Sequence, residues 1–181
     1  MQNRQYSTEG IVLSQMNYGE ADRIVTLITR DYGKVRVICK GIRKMKSRKR
    51  GHIDVFNRLK FSASKSHDLD IVTEAELIEA HSELKLDLRK VSVAYYFVEI
   101  IAKLTQLEEK HEMLYYFLAE KLHELELSRS LKTFRLNAAK ELLQKIGFWP
   151  YGQELADPDK IIEDIIERKI SSTRVGKAVL K

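Results

Sequence analysis

The first eighty or so residues consist of short apolar runs separated by turn residues. These runs are segments 9–15, 22–33, 33–41, 54–64 and 67–81. Segment 22–33 is β-branched, segment 54–64 shows the strand pattern more weakly, and the last segment runs into helix-forming residues. The third segment alternates most clearly, with Val35, Val37 and Cys39 on one side and Lys34, Arg36, Ile38 and Lys40 on the other. Five short strands in this length predict a small β-barrel or a compact sandwich.

From about residue 82 the apolar positions recur every three to four residues, which predicts helices. The predicted helices cover residues 88–107, 110–127, 130–147 and 157–169, with a short last one at 171–181. The first of them is apolar almost all round, as expected of a buried helix. We therefore predict an α+β chain, with a β-barrel domain at residues 1–80 and an all-α helical domain at residues 81–181.

Several helix ends carry residues that favour helix termini. Ser130 and Asp157 are predicted N-caps, and Pro158 suits the first helical position. Gly147 suits the left-handed position after a helix, and Pro150 follows it closely. These residues set the limits of the last two long helices.

Charge is concentrated in one part of the chain. The formal net charge is +6, but residues 30–60 carry twelve basic and two acidic side chains. The other 150 residues carry twenty basic and twenty-four acidic side chains. A concentrated positive field attracts polyanions such as nucleic acid much better than the same charge spread evenly.

Motifs for catalysis or cofactor binding do not occur. The chain lacks GxGxxG, GxxxxGK[ST], GxSxG and HExxH, and its five histidines show no ligand spacing. Its single cysteine, Cys39, excludes an intrachain disulfide and a multi-cysteine zinc site. We expect neither an enzyme nor a bound metal or cofactor. Without an apolar run for a signal or a membrane span, we expect a cytoplasmic protein.

The basic segment at residues 39–51, CKGIRKMKSRKRG, has seven basic and no acidic side chains and follows a predicted strand. It is either a solvated loop, a targeting address or an anion-binding loop. Nucleic-acid binding is the interpretation we favour, because small β-barrels hold single strands with cations and aromatic rings. Tyr18, Tyr32, Phe56 and Phe61 are nearby aromatics, although both phenylalanines also suit a core. The predicted DNA-binding residues are Lys34, Arg36, Lys40, Arg43, Lys44, Lys46, Arg48, Lys49 and Arg50; Arg58 and Lys60 extend the patch.

Several phrases in the sequence resemble the RecO family of bacterial recombination mediators. They are GIVLSQMNYGEADRIVTLITRDYGKVRVICKGIRKMKSR, VTEAELIEA, DLRKVSVAYYFVEII and LLQKIGFWP, and together they span about residues 9–150. The resemblance implies an OB-fold followed by a helical domain. It also implies binding of single- and double-stranded DNA, annealing of complementary strands, and loading of recombinase onto strands coated by single-stranded-DNA-binding protein (SSB), with RecR as partner. An RNA-binding OB-fold accessory protein is the alternative.

Two departures from the family pattern are visible. Many members carry a zinc-binding cysteine cluster after the phrase that matches IGFWP, whereas YGQELADPDK follows here, so we expect no zinc. The later helices also look shorter than in the family, which puts their partner surfaces in doubt.

The resemblance further implies that the acidic C-terminal tail of SSB docks on the helical domain. Docking of such a tail needs an apolar pocket with a basic rim. The residues predicted for this site are Lys132, Arg135 and Lys140 for the rim and Phe134, Leu136 and Leu143 for the pocket, although the three apolar ones also suit an ordinary core.

Overall fold

The computed structural model describes residues 5–47, 49–167 and 170–172. Five strands come first in the chain. They are β1 (Gln5–Tyr18), β2 (Asp22–Thr29), β3 (Gly33–Cys39), β4 (Arg58–Ser64) and β5 (Asp70–Glu79). All five were predicted from the sequence, with differences of a few residues at their ends.

The five strands close into a barrel in the order β1-β2-β3-β5-β4. Every neighbouring pair is antiparallel except β3 and β5, which pair in parallel through Val37 and Ile38. This closed five-stranded topology is the OB-fold. The predicted class, an OB-fold followed by helices in an α+β chain, is confirmed.

Alternating side chains fill the barrel interior. Val35, Val37 and Cys39 of β3 lie in the core, as their alternation predicted, and Val25 and Leu27 of β2 face them. Polar neighbours in β3 point outward, because successive residues of a strand face opposite sides.

The helix-forming residues at the end of the last strand segment do not form a helix. Strand β5 continues to Glu79 because Ala75 and Leu77 pair with Phe61 and Leu59 of β4. Pairing with a neighbouring strand outweighs the helix preference of Glu and Ala here.

Five helices follow the barrel among the described residues. They are α1 (Ser82–Leu86), α2 (Leu88–Leu104), α3 (Glu112–Leu127), α4 (Leu131–Lys145) and α5 (Pro158–Ile165). None of the described helices is both long and apolar enough to cross a membrane. The helix predicted at 171–181 falls largely on residues 173–181, which lie outside the described residues.

Most of the predicted helix ends are confirmed. Asp157 accepts a hydrogen bond from the backbone N–H of Lys160 and Pro158 begins α5, while Gly147 has the left-handed φ of 80° after α4. Ser130 does not cap α4 with its side chain. Its hydroxyl instead donates to Oγ1 of Thr133 at 3.1 Å.

The described residues group into two compact units. The first contains the five strands together with Thr105–Ala119, and the second contains Ser82–Leu104 and the described residues from Glu120 onward. The domain limits inferred from the sequence, 1–80 and 81–181, remain a prediction.

Within the first unit, Thr105–Ala119 is fixed to the barrel by backbone and side-chain contacts. The backbone N–H of Glu108 donates to the carbonyl of Lys34 at 2.9 Å. The Glu9 carboxylate accepts a hydrogen bond from Nη2 of Arg58 at 2.7 Å and another from the hydroxyl of Tyr115 at 2.9 Å. Nε of Arg58 donates a hydrogen bond to the same hydroxyl at 3.0 Å. Each of the three side chains thereby bonds to both of the others.

Gly33 shows how close this approach is. Its φ is 67°, and a Cβ atom there would lie 1.7 Å from the carbonyl oxygen of Glu109. Gly19 has a similar φ of 55° with nothing within 4 Å of the corresponding Cβ position. The two glycines share the backbone requirement and differ only in the space around them.

We expect Gly33→Ala to destabilise the protein clearly more than Gly19→Ala. The left-handed conformation alone costs a non-glycine residue roughly 1–3 kcal/mol, which is the whole cost expected at Gly19. At Gly33 the clash with Glu109 adds to that cost. Urea unfolding of both variants measures the difference, and equal losses would contradict the close approach.

The Glu9 network predicts a pH dependence of stability. The hydrogen bond from Arg58, together with that from Tyr115, lowers the pKa of Glu9 below its ordinary value of 4.5, against the opposing effect of burial. A depressed folded-state pKa gives stability that is present above 4.5 and is lost as pH falls through the folded-state pKa. We expect Glu9→Gln to lower the free energy of unfolding at neutral pH and to lose this effect in acid. A pH-independent difference between Glu9→Gln and the unsubstituted protein would argue against the network.

Candidate nucleic-acid interface

The basic segment lies in the long connection between β3 and β4, and two isoleucines anchor it. Ile42 and Ile53 are fully buried in the same core cluster as Val37 and Leu59. The segment between them therefore starts and ends inside the barrel core. The structure thus shows a loop whose two ends are packed into the barrel.

Successive turns make this connection compact. Backbone hydrogen bonds run from Lys44 to Gly41, from Ser47 to Lys44, and from Arg50 to Ser47. The backbone N–H of Ile53 donates to the carbonyl of Lys49 at 3.1 Å. The basic residues are thus held close together in space as well as in sequence.

Three hydrogen bonds join the loop to the turn between β1 and β2. The backbone N–H of Gly41 donates to Oδ1 of Asp22 at 2.7 Å, and that of Arg43 donates to the carbonyl of Ala21 at 2.9 Å. Nη1 of Arg43 donates to the carbonyl of Gly19 at 3.2 Å. The loop and this turn therefore form one continuous surface.

The other part of the loop contacts β5. Nζ of Lys49 donates to the carbonyl of Val72 at 2.8 Å, and Nδ1 of His52 lies 2.9 Å from the carbonyl oxygen of Ala75. Lys49 is half-buried in this position. Its ammonium contributes to holding the loop, so part of its donor capacity is already used.

Most of the predicted DNA-binding side chains are exposed. Arg48 lies outside the described residues, and Lys34 and Lys49 are half-buried. The exposed members are Arg36, Lys40, Arg43, Lys44, Lys46 and Arg50. Arg36 is on the outer face of β3, and the other five belong to the loop.

Lys34 differs from the exposed cations. Its ammonium donates to the carbonyl of Thr105 in the segment packed on the barrel. Burial lowers the pKa of Lys34. Its alternation with Val35 correctly predicted an outward direction, but nothing in that pattern reveals that Thr105–Ala119 covers this end of the strand.

Strand register defines the outer face next to the loop. Val25 and Val37 point into the core, so the residues that alternate with them in β2 and β3 point outward. Three rows of paired residues cross this face. The first row consists of Ser14, Thr26 and Arg36, and the second of Met16, Ile24 and Ile38. The third row consists of Tyr18 and Asp22 and lies next to Lys40. Arg36 and the basic loop thus lie on either side of an apolar row.

Only one of the four nearby aromatic residues is both exposed and beside the loop. Phe56 and Phe61 are buried, as their alternative interpretation as core residues allowed. Tyr32 stacks on Tyr6, with ring centroids 4.7 Å apart, in the turn at the far end of β2. Tyr18 is 53% exposed at the end of β1, where Gly19 receives the Arg43 hydrogen bond.

Cys39 has no chemical role at this surface. It is fully buried in the barrel core. Burial raises the pKa of its thiol to about 12, so the thiol stays protonated at neutral pH. A protonated, enclosed thiol serves neither as a nucleophile nor as a metal ligand.

In the second unit, helix α4 separates the six residues predicted to bind the SSB tail. Lys132, Leu136 and Lys140 share one face at intervals of four residues. Leu143 is fully buried, and the Phe134 ring packs edge-on against Phe97 with centroids 6.1 Å apart. Leu143 is therefore a core residue, and Phe134 is half-buried against the Phe97 ring.

Arg135 is already neutralised by a partner in its own unit. Its Nη1 lies 2.7 Å from both carboxylate oxygens of Asp159 in α5, and its guanidinium carbon is 4.9 Å from the centroid of the Tyr96 ring. The Tyr96 hydroxyl donates to the same carboxylate at 2.7 Å. Arg135 therefore lacks the free charge expected of a rim residue.

Comparison with known proteins assigns the chain to a family. The family model described as "Recombination protein O N terminal" matches residues 1–81, and that described as "Recombination protein O C terminal" matches residues 85–164. The chain belongs to the RecO family. The resemblance found in the sequence is thereby confirmed.

Many curated relatives carry the name "DNA repair protein RecO". The relative from Roseiflexus sp. (strain RS-1) is 30% identical over 172 residues, which cover 93% of this chain and 59% of the relative. That from Thermoanaerobacter sp. (strain X514) is 36% identical over 148 residues, with coverages of 81% and 60%. That from Bifidobacterium adolescentis is 40% identical over 106 residues, with coverages of 58% and 43%. The chain spans about half the length of the curated relatives it matches.

Lys34 and Arg36 provide a paired test of the geometry. We expect Lys34→Met to lower the urea midpoint, because its ammonium bond to Thr105 is lost, and to leave the salt dependence of single-strand binding unchanged. Arg36→Met should change stability by less than about 0.5 kcal/mol. If Arg36 contacts one phosphate, this substitution should make the slope of log affinity against log salt shallower by about 0.7. The reverse assignment of the two effects would show that Lys34 is the phosphate contact.

Proposed function

We propose that this chain binds single- and double-stranded DNA and acts in DNA repair by recombination, in the cytoplasm at the nucleoid. Membership of the RecO family and the printed name of its relatives support this role. The absence of catalytic motifs from the sequence supports a non-enzymatic activity.

The observation that carries the proposal is the anchored loop with its exposed cations. Lys40, Arg43, Lys44, Lys46 and Arg50 are exposed on a segment that contains no acidic side chain. Phosphates are the natural counter-charges for such a surface, and contacts to phosphate position a strand without reading its sequence. The buried ends of the loop, Ile42 and Ile53, keep these charges in a defined place.

Strand annealing follows from the same chemistry. Two complementary strands repel each other through their phosphates, and a cationic surface reduces that repulsion. Contacts limited to the backbone leave the base edges free to pair. The basic loop would thus hold one strand while a second strand pairs with it.

RecR and the C-terminal tail of SSB are the proposed protein partners in loading recombinase onto SSB-coated DNA. For the acidic SSB tail, the face of α4 with the exposed Lys132 and the half-buried Leu136 and Lys140 is the best supported contact, because it combines two cations with an apolar side chain. Arg135 would contact the tail only if its ion pair with the Asp159 carboxylate were broken.

Charge reversal in the loop tests the DNA-binding surface. Lys40, Lys44 and Lys46 are exposed, so changing all three to Glu should leave the barrel folded and greatly weaken DNA binding and annealing. For the unsubstituted protein, four to six neutralised phosphates predict a slope of roughly −3 to −4 for log affinity against log salt on single strands. Fluorescence anisotropy across a salt series measures both quantities.

The matched control changes Lys110, Arg129 and Lys160 to Glu, which alters the net charge equally at exposed positions outside the loop. This control should retain most of the binding. Equal loss in both triple variants would mean that total charge, not this loop, determines affinity. A salt slope near zero would overturn phosphate binding altogether. Stronger binding to an RNA strand of the same sequence would favour the RNA-binding alternative.

A further inference from the structure

Two large apolar side chains are exposed at the end of β1 nearest the basic loop. Met16 is 55% exposed and Tyr18 is 53% exposed. Single exposed apolar residues are common on protein surfaces and require no explanation by themselves. Their position beside the basic loop makes this pair unusual.

The strand register defines where Met16 and Tyr18 lie on the barrel. Met16 and Tyr18 are two residues apart in β1, so they project from the same side of the strand about 7 Å apart. Ser14, which precedes them on this side, lies in the row that ends at Arg36 in β3. Gly19, which follows Tyr18, accepts the hydrogen bond from the Arg43 guanidinium. The apolar pair thus lies beside the basic loop, on the barrel face that also carries Arg36 two strands away.

Tyr18 is also free to contact a ligand. Its side chain makes no hydrogen bond, ion pair or ring contact within the described residues. Its backbone, in contrast, is fixed, because it pairs with Asp22, whose carboxylate holds the backbone of Gly41. Because the backbone is already held, only the rotamers of the ring itself have to be ordered when it binds a flat partner.

The loop contributes a third exposed apolar side chain. Met45 is 94% exposed between Lys44 and Lys46. Burial in the barrel does not explain it, and the turn formed by Gly41–Lys44 does not require it. The thioether of Met45 offers a polarizable group for contact with a base. The lysines on either side of it offer positive charges for the adjoining phosphates.

We propose that Tyr18, with Met16 on the same side of β1 and Met45 in the basic loop, binds the faces of unpaired bases of a strand whose phosphates contact Arg36 and the basic loop. This inference rests on the proposed DNA binding and adds the expectation that the protein binds single strands more tightly than duplexes. In a duplex the base faces are covered by their neighbours, so only the phosphate contacts remain available. In a single strand every base offers a face to an aromatic ring.

This mode of binding is compatible with annealing. Stacking on Tyr18 uses the face of a base and leaves its Watson–Crick edge open to a complementary strand. Formation of the duplex then withdraws the base face from the ring. The surface thus retains single strands and releases the base contacts of the paired product.

The test measures binding of Tyr18→Ala and Tyr18→Phe to three DNAs: a single strand, the same strand with abasic sites, and the duplex. Base–aromatic stacking predicts that Tyr18→Ala weakens single-strand binding roughly 5- to 150-fold. The salt slope should not change, since no cation is removed. Tyr18→Phe, which keeps the ring, should bind like the unsubstituted protein. On the abasic strand and on the duplex, Tyr18→Ala should have little effect.

The control is Tyr151→Ala, which removes a tyrosine that is 73% exposed in the second unit. It should bind all three DNAs normally. Equal losses by Tyr18→Ala on single strand, abasic strand and duplex would overturn base stacking, as would unchanged single-strand binding. If the unsubstituted protein binds none of the three DNAs, the proposed function itself fails, and that outcome is distinct from a failure at Tyr18.

Discussion

Burial of Ile42 and Ile53 in the barrel core is the interaction on which the candidate surface depends. Each isoleucine removes apolar surface from water, which stabilises the fold by about 1.5–3 kcal/mol per side chain. Most of the cationic segment lies between these two residues. Their burial therefore also holds the positively charged side chains close together in a defined position, against their mutual repulsion. A flexible loop would have to lose that freedom when a ligand binds.

The basic residues of this region form two groups with different structural roles. Lys34 and Lys49 donate to backbone carbonyls and hold segments of the first unit together. Lys40, Lys44 and Lys46 remain exposed to solvent. Arg43 belongs to both groups, since its guanidinium bonds to Gly19 and is still exposed. A count of positive charge in the sequence therefore overestimates the charge that is available to a ligand.

The sequence predicted the barrel and the helices well because their patterns are local. The alternation around Val37 reports a half-buried strand, and the glycine and proline signals at Gly147 and Pro158 report helix ends. The sequence did not show that Thr105–Ala119 joins the barrel, because that grouping depends on contacts such as Lys34 with Thr105. The sequence also did not show that Tyr18 is exposed while Phe56 and Phe61 are buried, because that difference depends on the folded structure.

Confinement of the loop also affects how salt acts on the free protein. The exposed cations between Ile42 and Ile53 repel one another, and no acidic side chain within the segment offsets that repulsion. Dissolved salt screens charges beyond about 10 Å at 0.1 M and so reduces this cost in the folded state. The same salt competes with the phosphates of a bound strand. Ionic strength therefore acts in opposite directions at one loop, relieving its internal repulsion while weakening its hold on a polyanion.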